Sequence, residues 1–274
     1  CIALINIAVA DPAVIKARSC SQDDVQKAID SSSDGSIVIV PTGTCIWTTP
    51  VSCQGMNCAS VHVSQKAVTL QGAGIDRTII TDATNDKQIQ WGAFPLWIDG
   101  IEGKVFRVTG FTFNGSADAI GAVYITGTAK KFRVDHCKFA LSSGRGMTIQ
   151  GYTYGVLDHN QFVNMINQGV WIQADADSWN RPLSLGTVNA VYIEDNVFQG
   201  ACPGGNCFYD GMDHQSGARS VIRHNKFIGT GVQTHGSCSE PGQRSIFSTE
   251  VYNNTFTMPA SQNKFRVMPI RGGT

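Results

Sequence analysis

Charged residues are scarce in this sequence. They make up 15% of the 274 residues, whereas globular proteins average about a quarter. Lys plus Arg and Asp plus Glu both number 21, so the formal net charge is zero. Proteins that bind nucleic acids usually carry a basic excess, because they neutralise phosphates. The composition therefore argues against a nucleic-acid partner.

The sequence also lacks an apolar run long enough to cross a bilayer, which takes about 20 residues in a helix. The apolar stretch at residues 1–10 is too short and has no basic flank. We expect no membrane span. We interpret residues 1–19 as an N-terminal apolar extension or an edge strand, with the remains of a signal segment or a lipid-bearing Cys1 as alternatives.

Matched Cys/His pairs at zinc-ligand spacing are missing, although the chain has nine cysteines. Nine cysteines point to an oxidising compartment, and we expect a secreted or cell-surface protein with disulfides. The close pairs Cys53/Cys58 and Cys202/Cys207 could each pin a loop, and Cys20 could pair with Cys45. Cys137 lies inside a repeat, and we interpret it as a buried thiol.

A short unit recurs along the chain, with an aliphatic residue five places before a phenylalanine. The six copies span residues 108–113, 134–139, 157–162, 193–198, 222–227 and 251–256. Successive phenylalanines are 26, 23, 36, 29 and 29 residues apart. One coil of a parallel β-helix, with three short strands and their turns, takes about this length. The repeat therefore predicts an all-β fold, a right-handed parallel β-helix.

An asparagine stands two residues before the phenylalanine in four successive repeats: Asn160, Asn196, Asn225 and Asn254. Asparagine tolerates the left-handed backbone of a tight corner, and its amide can bond to the copy one coil away. His136, His159 and His224 lie beside these positions and invite a metal or catalytic interpretation. Because they recur with the repeat, we assign them to the corner.

A second strand follows each unit, and its alternation sends every other side chain outward. Stacking in register then aligns Tyr124, Thr148, Trp171, Asp213 and Gln233 as one outward ladder. Thr126, Gln150, Gln173, Gln215 and His235 form a second ladder beside it. We expect His214, between two outward positions, to point into the core.

The start of the repetitive region fits a cap. Ser21 with Asp24 resembles a capping box, and Val25, Ala28 and Ile29 share one side of a short helix over residues 24–30. Such a helix can cover the open end of the first coil. We expect residues 20–274 to form a single parallel β-helix domain, without a C-terminal cap of its own.

Two stretches carry a family resemblance: residues 23–29 (DDVQKAI) and 34–44 (DGSIVIVPTGT). Together with the later repeats, they resemble the pectate-lyase-like superfamily over most of the chain from about Ser21 onward. The resemblance implies the β-helix fold and leaves the chemistry open, because this scaffold carries many functions. The tryptophan that precedes Ile-Asp-His in pectate lyases is missing at residues 134–136 and 157–159, and the polygalacturonase residue set is absent. We therefore carry over no catalytic residue of the family.

The outward ladder between Trp171 and His235 is the candidate site. We expect a polysaccharide ligand there, because aromatic faces, planar amides and carboxylates suit sugar rings. Insertions at residues 174–182 and 201–210 could wall a groove over this ladder. The candidate substrate-binding residues are Trp171, Gln173, Trp179, Arg181, Gln215 and Gln233.

Two mechanisms remain open for this site. The candidate catalytic residues are Asp210, Asp213, Arg219 and His235. A lyase would abstract a proton beside a uronate carboxylate, with Arg219 or Arg181 as base or charge stabiliser. Asp175 and Asp177, together with Asp210 and Asp213, are available as Ca²⁺ ligands. A hydrolase would pair two carboxylates, for which Asp210 and Asp213 are candidates. The structural alternative is that these charges fix a loop and that Trp179 is a lid.

A non-catalytic function is the rival hypothesis. An apolar first segment, an odd cysteine and uncovered helix ends would fit a structural or adhesive subunit of an extracellular assembly. Self-association would then proceed through the N-terminal strand or the solenoid ends.

Overall fold

A computed structural model describes residues 11–48, 52–54, 57–84, 93–115, 121–141, 144–174, 176–201, 210–235, 245–260 and 266–271. Its first strands, in chain order, are β1 (Val14–Lys16), β2 (Ile37–Ile39), β3 (Gly43–Trp47), β4 (Ser52–Gln54), β5 (Asn57–Ser64), β6 (Thr69–Gln71), β7 (Thr78–Asp82), β8 (Ala93–Gly100) and β9 (Phe106–Thr109). Next come β10 (Thr112–Asn114), β11 (Gly121–Gly127), β12 (Phe132–Asp135), β13 (Lys138–Ala140), β14 (Arg145–Gln150), β15 (Gly155–Asp158), β16 (Gln161–Met165), β17 (Val170–Gln173) and β18 (Val191–Glu194). The last are β19 (Val197–Gly200), β20 (Met212–Gln215), β21 (Arg219–Arg223), β22 (Lys226–Ile228), β23 (Val232–His235), β24 (Ser248–Tyr252), β25 (Thr255–Thr257) and β26 (Ile270–Arg271).

The strands form three long sheets. Sheet A has the order β1-β2-β6-β9-β12-β15-β18-β21-β24, sheet B runs β3-β7-β10-β13-β16-β19-β22-β25, and sheet C runs β4-β5-β8-β11-β14-β17-β20-β23-β26. All pairs are parallel except the hairpin β4–β5. Each coil contributes one strand to each sheet in turn. This is the predicted right-handed parallel β-helix.

The repeated phenylalanines form a stack along the axis of the helix. Neighbouring rings from Phe113 to Phe256 are stacked with centroids 4.6 to 5.5 Å apart. Their strands pair in register, so each phenylalanine lies directly above the previous one. The rings up to Phe227 are fully buried. The sequence repeat is thus one structural coil, as predicted.

The corner between sheets A and B is a two-residue turn with a left-handed first residue. We predicted that conformation for the asparagine, and this was wrong by one position. The positive φ angles fall on the preceding residues, at 51 to 59°: His136, His159, Asp195, His224 and Asn253. At four of these corners the next residue is an asparagine that is turned inward, where its amide meets the next coil, so the residue before it takes the exposed apex. The three histidines lie at this corner, as predicted.

The asparagine amides join successive coils. The Asn160 backbone N–H donates to Asn196 Oδ1 at 2.9 Å, and the Asn196 N–H donates to Asn225 Oδ1 at 3.0 Å. The Asn196 amide also donates to the Leu157 carbonyl at 2.9 Å. The inner asparagines are about 1% exposed. This ladder satisfies backbone groups that would otherwise be buried without partners at every turn.

A short helix, α1 (Gln22–Asp30), covers the first coil. The Ser21 side chain accepts a hydrogen bond from the Asp24 N–H, as the capping pattern predicted. Val25, Ala28 and Ile29 are buried against the coil interior.

A disulfide joins Cys20 to Cys45. Cys137 is a buried free thiol, and its burial raises its pKa to about 12.

Strand β1 lies at the edge of sheet A and pairs with β2. Residues 1–10, Cys202 and Cys207 fall outside the described part of the chain. Within the described part, no helix is both long and apolar enough to cross a membrane.

Candidate functional site

The outer face of sheet C carries the predicted ladder in register. Strand pairing places Tyr124 beside Thr148, Thr148 beside Trp171, Trp171 beside Asp213, and Asp213 beside Gln233. The inward neighbours Val123, Met147, Val170, Met212 and Val232 are fully buried in the core. Alternation along short parallel strands is thus sufficient to bring these five outward side chains into one row.

A charged and aromatic group lies at the centre of this row. His235 Nδ1 is 3.1 Å from Asp213 Oδ2. The guanidinium of Arg145 lies over the Trp171 ring, with Cζ 4.0 Å from the ring centroid. Arg145 Nε also donates to Gln168 Oε1 at 3.2 Å, so this guanidinium is held on two sides. A histidine, a carboxylate, a guanidinium and an indole therefore meet on four adjacent coils.

The alternation argument missed Arg145. Counted back from the buried Met147, Arg145 would point into the core. A Cβ on Gly146 would lie 2.7 Å from the Phe162 ring, however, so position 146 already faces the core and the alternation breaks there. Burial lowers the pKa of Arg145, and the negative charge of Asp213 acts in the opposite direction. In the sequence, the signal for this break in alternation is a glycine, Gly146, directly before the core residue Met147.

Three buried polar atoms of the ladder have no hydrogen-bond partner among the described residues. They are Thr148 Oγ1, Asp213 Oδ1 and Gln233 Nε2. The side chains that carry them are 2 to 3% exposed. Buried polar groups nearly always find a partner, and unsatisfied ones mark sites where water, an ion or a ligand binds. These unsatisfied atoms make the row the candidate binding site.

The second ladder is more open. Gln150 pairs with Gln173 and Gln173 with Gln215 in register, and all three are half-buried. His235 is 21% exposed. Planar amides at one-coil intervals offer donors and acceptors along the helix axis, about 4.8 Å apart. The half-buried row is therefore the accessible edge of the site.

The N-terminal end of the same face is aromatic. The Trp97 ring stacks on His62 at 4.4 Å, and Phe94 stacks on Tyr124 at 4.7 Å. The Tyr124 hydroxyl donates to Gln150, and burial raises its pKa to about 12. Tyr124 thus stays protonated at neutral pH and links the aromatic end to the amides.

Other candidate residues lie at the corner between sheets C and A. Arg219 is 3% exposed and donates to the carbonyls of Ser178, Arg181 and Pro182. The Trp179 indole N–H donates to the Ser245 carbonyl at 3.2 Å, and the ring packs edge-on against Phe247.

The Arg181 guanidinium covers the Tyr152 ring at 3.2 Å. The structure does not bring Arg219, Trp179 and Arg181 to the sheet C face, and their contacts fix the insertion that follows β17.

The candidate metal ligands are not assembled in the described part of the chain. Asp177 is exposed in the 3₁₀-helix Ala176–Asn180, and Asp175 lies outside the described residues. No group of three or more His, Cys, Asp or Glu side chains suited to a metal occurs among the residues described. Asp210, just before β20, is buried. A calcium site stays a prediction.

His214 points into the core, as expected. It is fully buried, with Nδ1 3.2 Å from the Gln233 carbonyl oxygen. Its burial lowers its pKa to about 4, although Asp213 raises it in part. The imidazole is therefore neutral at physiological pH and belongs to the packing beneath the site.

Solved structures share this architecture. The chain is similar to an alginate lyase from Paenibacillus sp. str. FPU-7, with a TM-score of 0.53, 13% identity, and coverage of 95% of this chain and 98% of that one. It is also similar to a pectin methylesterase variant in complex with a hexasaccharide, with a TM-score of 0.53, 12% identity, and coverage of 96% and 94%. No protein-family model and no curated protein sequence matches the chain. At these identities the likeness concerns the fold, and it confirms the parallel β-helix.

Proposed function

We propose that this chain is a secreted polysaccharide-active protein that binds an acidic polysaccharide along the outer face of sheet C. The observation that carries the proposal is the row of unsatisfied buried polar atoms beside the Asp213–His235 pair. The β-helix neighbours include a lyase and an esterase whose names refer to acidic polysaccharides. A disulfide and a composition rich in cysteine support secretion.

The polysaccharide would lie along the helix axis on the half-buried amides Gln173 and Gln215. Beneath these amides, the unsatisfied buried atoms of Asp213 and Gln233 would bind water molecules that bridge to the sugar hydroxyls. Arg145, which is held over the Trp171 ring, would supply the positive charge for a uronate carboxylate.

The chemistry that these residues support best is β-elimination. His235, oriented by Asp213, would take the proton from the carbon next to the uronate carboxylate. The electron pair left behind forms a carbon–carbon double bond, and the glycosidic C–O bond on the neighbouring carbon breaks. The departing oxygen takes up a proton from water. Arg145 would stabilise the negative charge that builds up on the carboxylate during proton removal.

The test is incubation of the purified protein with acidic polysaccharides, polygalacturonate and alginate, and with neutral ones. Ultraviolet absorbance reports an unsaturated product, and a reducing-end assay reports any cleavage. We expect an unsaturated product from an acidic polymer. An assay with and without a chelator tests the predicted calcium ligands Asp175 and Asp177.

The residue assignment has a matched control. His235→Gln is expected to reduce the rate by about 10²- to 10⁴-fold, the usual contribution of a general base. His224→Asn replaces an exposed corner histidine and should leave the rate unchanged. Reducing ends without an unsaturated product would favour a hydrolase instead. No product from any acidic polymer would rule out the enzymatic proposal.

The structural-subunit alternative keeps one supporting observation. Edge strand β1 exposes Val14 by 54%, and an open strand edge can pair with another molecule. Concentration-dependent oligomers by sedimentation, together with no product and no binding on the polysaccharide panel, would favour this alternative.

A further inference from the structure

A second concave site lies on the outer face of sheet A, away from the sheet C ladder. It encloses about 760 Å³, which is within the range of small-molecule pockets. Its floor is formed by Val156 and Tyr192, which pair in register on β15 and β18. The insertion wall is formed by Gly186, Thr187, Val188 and Ala190, at the end of the long insertion between β17 and β18, and Val105 and Lys131 also line the pocket.

The insertion wall is fixed by hydrogen bonds. The Tyr192 hydroxyl donates to the Thr187 carbonyl at 2.7 Å, and the Thr187 hydroxyl donates to the Ser184 carbonyl at 2.8 Å. Gly186 supplies a left-handed turn, with φ at 68°. The wall is thereby attached to the floor, and the Tyr192 hydroxyl is already engaged.

The apolar part of the pocket is unusually exposed. Val188 on the insertion wall is 60% exposed, and Val105, which also lines the pocket, is 53% exposed. Together with Val156 and the Tyr192 ring, they form an apolar, aromatic lining. Contiguous exposed apolar surface of this kind marks binding sites in soluble proteins.

The charges around the pocket are largely paired. Arg133 binds Asp158 at 2.7 Å, and Arg223 binds Glu194 at 2.6 Å. Lys130 binds Glu102 at 2.5 Å. Within the described part of the chain, Lys131 is the lining cation without a carboxylate partner, and it is exposed. The pocket therefore presents one unpaired positive charge beside an apolar floor.

We propose that this pocket binds an aromatic monocarboxylate, with its ring on Val156 and Tyr192 and its carboxylate at Lys131. A sugar fits less well, because the Tyr192 hydroxyl and three of the four cations already have partners. A neutral apolar molecule would leave the charge of Lys131 unused. This site is independent of the function proposed for sheet C.

The experiment measures binding of naphthalene-2-carboxylate to the full chain by titration calorimetry, with the neutral naphthalene-2-carboxamide as ligand control. We expect saturable one-to-one binding of the carboxylate and weaker binding of the amide, by up to about fivefold, since an exposed ion pair contributes up to about 1 kcal/mol. Lys131→Glu should weaken carboxylate binding more than the change to the amide does, because it replaces the attraction with a like-charge repulsion. The matched control Lys226→Glu alters an exposed lysine on sheet B and should not change it.

Two further variants locate the ligand. Val156→Arg fills the floor and should abolish binding, and circular dichroism would verify its fold. His235→Gln, on sheet C, should bind the carboxylate as tightly as the parent chain. The proposal is overturned by no binding of the carboxylate, by equal binding of the amide, by equal effects of the two lysine variants, or by displacement of the carboxylate with an oligouronate.

Discussion

Replacing Asn196 with alanine should destabilise the β-helix strongly. The substitution removes the acceptor of the Asn160 N–H and the donor to the Leu157 carbonyl, both buried at an interior corner. A buried polar group left without its partner costs about 1 to 3 kcal/mol. Two such groups give an expected loss of about 2 to 6 kcal/mol in the free energy of unfolding, a large share of the stability of a typical domain.

Equilibrium urea unfolding, followed by circular dichroism, measures this loss. Asn254→Ala is the informative comparison, because Asn254 makes the equivalent bonds to Asn225 and to the Ile222 carbonyl but is half-buried. Water can replace its bonds, so we expect a smaller loss. Asn180→Ala alters an exposed asparagine outside the ladder and should change little. Equal losses in Asn196→Ala and Asn180→Ala would refute the reasoning.

Three further outcomes are expected. The pKa of His214 is about 4 in the folded chain and about 6.5 when unfolded, so the unfolded state takes up the proton first. Stability should therefore fall as pH drops from about 6.5 to 4, by up to about 3 kcal/mol. An unchanged pH dependence of urea unfolding in His214→Leu would contradict this. Phe198→Ala should lower the free energy of unfolding by about 3 to 5 kcal/mol, and Phe256→Ala should lower it less, because Phe256 is half-buried. A larger loss for Phe256→Ala in urea unfolding would exclude this account of the stack. The Cys20–Cys45 disulfide closes a separation of 25 residues, and its removal should lower the free energy of unfolding by about 3 kcal/mol. An unshifted urea midpoint in a variant with both cysteines changed to serine would disprove this expectation.

The fold was accessible from the sequence because a β-helix repeats one local pattern. The spacing of Phe113, Phe139 and the later phenylalanines located the coils, and the same register recurs in the structure. The N-cap at Ser21 was predictable because it depends only on residues that are close in the sequence. The left-handed residue was misplaced by one position, because the sequence does not reveal which of two corner residues turns its side chain inward.

The site was only partly accessible from the sequence. Alternation placed Trp171, Asp213 and Gln233 in one row, since it needs no more than strand register. It failed at Arg145, where a glycine breaks the alternation. It also grouped Arg219 with Asp213, although Arg219 lies on β21 of sheet A and caps carbonyls of the insertion. Within long insertions, the alternation pattern no longer predicts where side chains lie.

The two-residue corner between sheets A and B fixes the spacing of the coils along one edge of the molecule. Its length is the same in each coil from β12 to β25, whereas the connection from β17 to β18 spans 174–190. A change of loop length at that connection therefore leaves the register of the next coil intact, because the asparagine corner resets it. Variation in length falls on the connections that lead into sheets C and A. A foreign peptide grafted after Ser184 would therefore be displayed without disturbing the stack beneath it.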